Sequence, residues 1–264
     1  MNKFKRYLSI FYILSRNSLS RDISFRFSFF MSIFGGFCYV ALNFFIIFFL
    51  TQRVSLFGWT QKEMFVLLGS FYILTYAMFL FFWRGFINLI RGIRDGTFDY
   101  YLTRPVDSQF LISAVGGGIH NLLALIFGIF VVFYGVNLLQ INLSLFQIIA
   151  WAFAIIVSVV ACYSYVLLLI TLNFKYGYIE EVLDLGFSFQ NASKYPLDAF
   201  TKLPIYLLLF TLPFSALTTI PTHILIDTIF PTQMFVLFIG GSILFIILVR
   251  LIWLRSLKSY TSSS

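Results

Sequence analysis

Six apolar runs dominate the pattern of hydrophobic and polar positions along the chain. They cover about 29–50, 64–83, 111–136, 145–170, 203–220 and 232–253. An α-helix needs roughly 20 apolar residues to cross the hydrocarbon core of a bilayer. The pattern therefore predicts an all-α integral membrane protein with six transmembrane helices.

Two segments beside these runs are predicted to lie at the membrane surface. In residues 1–28, Tyr7, Leu8 and Phe11 recur at helical spacing with basic and serine residues between them, which is typical of an amphipathic interfacial helix. Residues 221–231 (PTHILIDTIFP) are apolar, too short to cross a bilayer, and bracketed by prolines. We interpret them as a re-entrant or interfacial segment between the fifth and sixth spans.

Composition supports a single membrane domain. Hydrophobic residues make up 60% of the 264 positions and charged residues 11%. Soluble domains of this size have about 45–50% apolar and about 25% charged residues. No polar block is long enough to fold separately, so residues 1–264 are predicted to form a single transmembrane domain.

The basic residues predict the orientation. All of the 18 Lys and Arg except Arg53 and Lys62 fall on one side of the predicted spans. Since Lys and Arg concentrate in cytoplasmic connections, both termini are predicted to be cytoplasmic. The connections 84–110 and 171–202 are then cytoplasmic loops, and the short connection 51–63 is external.

Several kinds of chemistry have no support in the sequence. A P-loop motif, G-x-x-x-x-G-K-[ST], is absent, so the chain has no such cradle for nucleotide phosphates. None of the predicted spans contains Asp or Glu, which disfavours ion-driven transport. Cys38 and Cys162 are interpreted as packing residues, His120 as a hydrogen-bonded structural histidine, and Gly116–Gly118 as a close helix–helix contact.

The first cytoplasmic loop reads as two short helices joined by a bend, which we call the elbow (residues 94–105). A preceding helical face is formed by Phe86, Leu89, Ile90 and Ile93. Gly96 is predicted to end that helix, and Thr97 to cap a second one that has Asp99 in its first turn. Pro105 is predicted to end the second helix.

The second loop contains another amphipathic stretch. Its apolar stripe is formed by Ile179, Val182, Leu183, Gly186 and Phe187. Glu180, Glu181 and Asp184 face away from this stripe at helical spacing. A structural brace on the membrane surface and a contact with a partner remain equally good interpretations of this helix.

These features resemble a known family. The first loop carries a recognisable series: Ile93, Arg94, Gly96, Asp99, Leu102, Arg104, Pro105, Val106 and Phe110. Further similar elements are the motif Tyr195-Pro196-Leu197, the proline-rich fifth span and a basic, Tyr- and Ser-containing tail. The chain resembles the integral-membrane permeases of type-2 ATP-binding-cassette exporters, in the subgroup of daunorubicin-efflux-like permeases. The pair Thr97-Phe98 departs from the acidic-aliphatic pair common in that subgroup.

The resemblance implies a half-transporter of the bacterial cytoplasmic (inner) membrane. Such a permease pairs with a second permease chain, identical or paralogous, and with two ATPase subunits that hold ATP and Mg. The chain itself would bind no cofactor and would not be an enzyme. Its cargo would be an amphipathic drug, lipid, glycolipid or peptide. Two alternatives remain: a six-span secondary transporter or channel, and a membrane-embedded lipid-modifying enzyme.

The resemblance also assigns roles within the loops. The predicted ATPase-coupling residues are Arg94, Asp95, Gly96, Asp99, Tyr100, Arg104 and Pro105. Glu180, Glu181 and Asp184 are predicted as a possible second cytoplasmic contact. Asp107 lies just outside the elbow, and its replacement is expected to have a mild effect.

Overall fold

A computed structural model describes residues 3–24, 26–52, 55–116, 118–176, 179, 181–200, 205–227 and 231–260. Its α-helices are α1 (Lys3–Ser24), α2 (Arg26–Thr51), α3 (Gln61–Phe81), α4 (Trp83–Arg94), α5 (Asp99–Leu102), α6 (Ser108–Ala114), α7 (Leu122–Leu139), α8 (Leu145–Ile170), α9 (Asn173–Tyr176), α10 (Glu181–Asn191), α11 (Ile205–Ile226) and α12 (Thr232–Ser256). Short 3-10 helices cover Ile119–Asn121, Ala192–Lys194, Leu197–Phe200 and Leu257–Ser259. Apart from a single bridge between Leu56 and Trp59, the regular structure of these ranges is helical.

The prediction of an all-α membrane protein is confirmed. Within the described chain, five helical segments are long and apolar enough to cross a membrane: Arg26–Thr51, Gln61–Phe81, Ile119–Leu139, Leu145–Ile170 and Thr232–Ser256. They correspond to the predicted first, second, third, fourth and sixth spans. The predicted fifth span falls on α11, and its crossing of the membrane stays a prediction, as does the orientation of the termini.

The third span begins later than predicted. The apolar run 111–136 is interrupted after α6, because Gly118 has a φ of +122° and cannot continue an α-helix. The Gly118 amide donates instead to the Asp22 carboxylate at 3.0 Å. Gly116 and Gly118 therefore lie in a break between two helices and not within a span, but the predicted close contact is present at Gly118, where a Cβ atom would lie 2.9 Å from the Phe79 carbonyl oxygen of α3.

Close helix packing occurs at other glycines, on α3 and α7. A Cβ atom at Gly69 would lie 2.7 Å from the amide nitrogen of Val132 and 2.8 Å from the carbonyl oxygen of Gly128. A Cβ at Gly135 would lie 3.0 Å from the amide nitrogen of Val66. The two backbones thus touch directly, as helices do in membranes where small residues face each other.

Helix α11 corrects the predicted re-entrant segment at its start. It continues through Pro213 and Pro221 as far as Ile226, so residues 221–226 are helical and not a turn. Prolines are tolerated in such helices where neighbouring protein covers the backbone. Here the Thr218 hydroxyl, between the prolines, donates to the Ser193 carbonyl at 2.6 Å. Residues 228–230 of the predicted segment lie outside the described residues.

Residues 171–202 do not behave as one surface loop. Asp184 lines a small cavity with Trp83, which follows α3 and lies at what we call the elbow end of the bundle. Gln190 donates to the Thr75 hydroxyl inside the bundle at 3.1 Å. Asp198 accepts a hydrogen bond from the Trp59 indole at 2.8 Å, at the opposite end, which we call the Trp59 end. The described residues 184–198 therefore run the length of α3, and the prediction of 171–202 as a loop at one end of the bundle is wrong for them.

Candidate functional site

The first helix of the candidate site forms as the sequence predicts. In α4 the predicted face is buried: Phe86, Leu89, Ile90 and Ile93. The helix ends at Arg94, and Gly96 has a φ of +70°, a conformation that glycine adopts without strain. The Phe98 amide closes the turn by donating to the Gly92 carbonyl at 3.0 Å. The predicted stop at Gly96 is confirmed.

Phe98 attaches the elbow to the protein interior. It is fully buried, and its ring centroid lies 5.3 Å from that of Phe174, 5.2 Å from that of Tyr260 and 6.5 Å from that of Trp253. Phe98, and not Thr97, occupies the N-cap of α5, where no side-chain capping bond is made. The predicted Thr97 cap is therefore wrong. Phe98 is the one phenylalanine among residues 94–105, and this was the signal that could have indicated a buried anchor.

The outer side of the elbow is polar and exposed. Among the predicted coupling residues, five are exposed: Arg94, Asp95, Tyr100, Arg104 and Pro105. Gly96 and Asp99 are partly buried, and Asp99 lies in the first turn of α5 as predicted. Tyr100 is 70% exposed, so its ring is accessible from outside the bundle. The structure thus brings the predicted residues together on one surface.

An ion pair defines the start of the elbow's outer surface. The Arg94 guanidinium bonds the Asp95 carboxylate at 2.8 Å, and this hydrogen bond holds the pKa of Asp95 below its ordinary value. Both side chains are about half exposed, so the pair contributes little to folding. The pair instead places a positive and a negative charge side by side on the outer surface of the elbow.

A second ion pair, between Asp107 and Arg250, was not expected from the sequence. Asp107 caps α6 by accepting from the Phe110 amide at 3.0 Å, and both of its carboxylate oxygens are bonded to the Arg250 guanidinium of α12. Partial burial raises the pKa of Asp107, but the Arg250 and backbone hydrogen bonds outweigh it and leave this pKa below its ordinary value. Asp107 thus connects α6, at the base of the elbow, to α12.

Further hydrogen bonds link the Asp107–Arg250 pair to α8. Arg250 also donates to the Gln109 side chain, and the Gln109 amide donates to the Tyr163 hydroxyl at 3.3 Å. Ser113 and Tyr163 share a further hydrogen bond of 2.6 Å. Side chains of α6, α8 and α12 therefore form one network beneath the elbow.

Helix α1 supports the same region from the other side. The Tyr7 ring lies 4.6 Å from the Phe110 ring, edge to face. Arg84 of α4 pairs with Asp22 at 2.7 Å and donates to Ser18 at 2.8 Å. The amphipathic N-terminal helix is thereby attached to both helices that flank the elbow.

The predicted second cytoplasmic contact is described in part. Glu180 lies outside the described residues, while Glu181 and Asp184 of α10 are exposed. Asp184 borders a cavity of about 210 Å³ together with Arg91 of α4. The predicted stripe is confirmed at Val182, Leu183 and Gly186, which are buried. Asp184 therefore lies at the elbow end, beside α4.

The His and Cys side chains of the described residues lie in pairs or alone. No group of three or more His, Cys, Asp or Glu side chains is arranged there to hold a metal ion. His223 pairs with Asp227 at 3.1 Å, and His120 contacts Asn121 at 3.2 Å. Cys162 is buried and Cys38 partly buried, each as a free thiol.

Comparison with known proteins agrees with this arrangement. No curated protein and no solved structure matches the chain. A model of the family described as ABC-2 family transporter protein matches residues 37–264, which include the elbow, α6 and all the helices that follow. The chain therefore belongs to the ABC-2 family of transporter proteins.

Proposed function

We propose that this protein is the membrane half of an ATP-driven exporter, in the daunorubicin-efflux-like subgroup, with the elbow as its contact with a separate ATPase subunit. Two such subunits, which hold ATP and Mg, would act on this chain and a second permease chain, identical or paralogous. Conformational changes of the ATPase subunits would drive an amphipathic substrate, such as a drug, lipid, glycolipid or peptide, out of a bacterial inner membrane. Membership of the ABC-2 family, whose permeases generally work with ATPase subunits, supports this.

One observation supports the coupling role above the others. The elbow is exposed and polar on its outer side, while its inner side is tied to the spans through Phe98 and through Asp107. A force applied at Tyr100 or Arg104 would therefore reach α12 through Trp253 and Arg250. A solvated loop needs no such attachments, because nothing has to be transmitted through it.

The test compares elbow variants in the assembled complex. For Tyr100→Ala and Arg104→Ala, we expect an assembled complex that hydrolyses ATP but exports at least about tenfold less substrate. A contact that buries such residues at the centre of an interface is worth over about 1 kcal/mol, whereas an exposed charge without a partner is worth less. Lys62→Ala, exposed at the start of α3, is the control.

Two results would contradict the proposal. Normal export by both elbow variants would mean that the elbow is only a solvated loop. Sustained ATP hydrolysis by the purified chain alone would mean that it does not depend on a separate motor. Assembly, hydrolysis and export are to be measured on the same preparations.

A further inference from the structure

A half-buried lysine, Lys194, lies against two of the candidate spans. The Lys194 ammonium donates to the Tyr39 hydroxyl at 3.2 Å and to the Asn43 side-chain oxygen at 3.3 Å. It also lies 5.3 Å from the ring centroid of Phe71 and 5.5 Å from that of Tyr39. Tyr39 and Phe71 are near the middle of α2 and α3, which are candidate spans. The ammonium is therefore at about mid-height in the bundle.

No carboxylate of the described residues balances this charge. The ion pairs found there are Arg84–Asp22, Arg94–Asp95, His223–Asp227 and Arg250–Asp107. Asp198, one turn further along the chain, binds the Trp59 indole. A cation at membrane depth is costly, and such groups are normally paired or line a substrate path. Two neutral oxygens and two aromatic faces compensate only part of that cost.

A cavity of about 270 Å³ lies next to two of the residues that contact the ammonium. Tyr39 and Phe71, which contact Lys194, also line this cavity. Gly36 forms another part of its wall, and a Cβ atom added there would meet nothing within 4 Å. There is thus room for a ligand beside the charge, bounded by α2, α3 and α10.

The polar groups at the cavity have two hydrogen-bond donors to spare, against one unpaired acceptor, the buried side-chain oxygen of Asn191. The Tyr39 hydroxyl accepts from Lys194 and keeps its own proton for donation. The Tyr76 hydroxyl, on a ring that lines the same cavity, makes no hydrogen bond among the described residues. Together with the ammonium, they match a carboxylate or phosphate, which accepts several charge-assisted hydrogen bonds.

We propose that Lys194 and this cavity bind the anionic headgroup of an amphipathic molecule, a carboxylate or a phosphate. The aromatic wall, which includes Phe71, Phe79 and Phe187, would contact the apolar part of the same molecule. That the occupant is the exported substrate rests on the proposed function. The binding site itself rests on the uncompensated ammonium and its donors.

The test measures binding by the purified chain in nanodiscs of phosphatidylcholine, which carries no net charge. The probes are radiolabelled 1-oleoyl lysophosphatidic acid and 1-oleoyl glycerol, which differ only in the phosphate. We expect wild type to bind the phosphate at least about tenfold more tightly, as for a charge-assisted contact. Lys194→Gln should lose this preference, and Lys194→Arg should keep most of it.

Matched variants separate binding from folding. Lys62→Gln makes the same substitution at an exposed lysine and should bind as wild type does. Tyr76→Phe removes one free donor without touching the contacts of Lys194 and should weaken the preference for the phosphate. Each variant is first compared with wild type by thermal unfolding. Equal binding of the two probes by wild type would overturn the proposal, as would an undiminished preference in folded Lys194→Gln.

Two further arms identify the source of the ligand and separate this inference from the proposed function. Displacement of the probe by phosphatidic acid placed in the nanodisc would identify a bilayer lipid as the occupant, and no displacement a single-chain amphiphile. Binding needs no ATPase, so a complex that fails to export contradicts the proposed function alone. Export of a neutral amphiphile without any anion binding contradicts this inference alone.

Discussion

The guanidinium of Arg250, near the end of α12, holds the carboxylate of Asp107, which caps the start of α6. These residues are 143 positions apart in the chain. The pair therefore joins the base of the elbow to the last span, and any displacement of the elbow has to move α12 or break the pair.

Loss of this pair is predicted to destabilise the protein. Asp107→Ala removes a helix cap and two charge-assisted hydrogen bonds, and should lower the free energy of unfolding by about 1 to 3 kcal/mol. Asp95→Ala, which removes a half-exposed partner of Arg94 at the surface, should change it little. Thermal unfolding in detergent is the measurement. Equal unfolding temperatures for the two variants would mean that the Arg250 contact is not maintained.

The same pair predicts a pH dependence. Asp107 has a pKa below its ordinary value in the folded state, so ionisation of this carboxyl favours folding. The stabilisation is complete above the unfolded pKa, about 3.9, and is lost as the pH falls through the lower folded pKa. The unfolding temperature of wild type should thus exceed that of Asp107→Asn at neutral pH and approach it below about pH 4. A gap between them that widens on acidification would contradict this.

Features that depend on residues close together in the chain could be predicted from the sequence. Span positions follow from apolar length, and the stop at Gly96 follows from the backbone conformation that glycine allows. The Asp107–Arg250 pair was missed because periodicity compares residues only a few positions apart. Arg250 counted simply as a basic residue at the end of an apolar run.

The path of residues 181–200 was missed for a related reason. Gln190, Ser193 and Lys194 made the segment look too polar for a place inside a membrane bundle. In the structure, Gln190 bonds Thr75, and Ser193 bonds the Phe214 carbonyl at 2.7 Å. Polar groups with internal partners are compatible with burial, and those partners come from distant helices that hydropathy does not reveal.

Phe98 is predicted to be essential for the position of the elbow. Phe98→Ala would leave a cavity among Phe174, Trp253 and Tyr260, at a cost of roughly 3 to 5 kcal/mol. Phe98→Leu fills most of that volume and should cost much less. Unfolding temperature and proteolysis within residues 94–105 report the result. An unchanged cleavage pattern in Phe98→Ala would show that the ring does not hold the elbow.

Glycine-to-alanine replacements are predicted to have opposite outcomes at two sites. Gly69→Ala would place its Cβ 2.7 Å from the Val132 amide, so α3 and α7 would have to separate, at about 1 to 3 kcal/mol. Gly240→Ala on α12 meets nothing within 4 Å and should be neutral or slightly stabilising. The yield of folded protein and the unfolding temperature test both. A neutral Gly69→Ala would contradict the direct contact of the two backbones.

Cysteine accessibility is predicted to place Tyr195 with Ser55 and not with the elbow. The Tyr195 ring lies 6.4 Å from that of Phe57, at the Trp59 end, whereas Thr103 is exposed on the elbow. In a chain carrying Cys38→Ala and Cys162→Ala, an impermeant thiol reagent added outside cells should label Ser55→Cys and Tyr195→Cys. Thr103→Cys should react only after the membrane is opened, because the basic residues concentrate at the elbow end. Labelling of Tyr195→Cys together with Thr103→Cys would mean that residues 171–202 form a single loop at one end and that Lys194 does not lie in the bundle. Labelling of Thr103→Cys alone from outside would instead reverse the orientation, leaving the contacts between helices untouched.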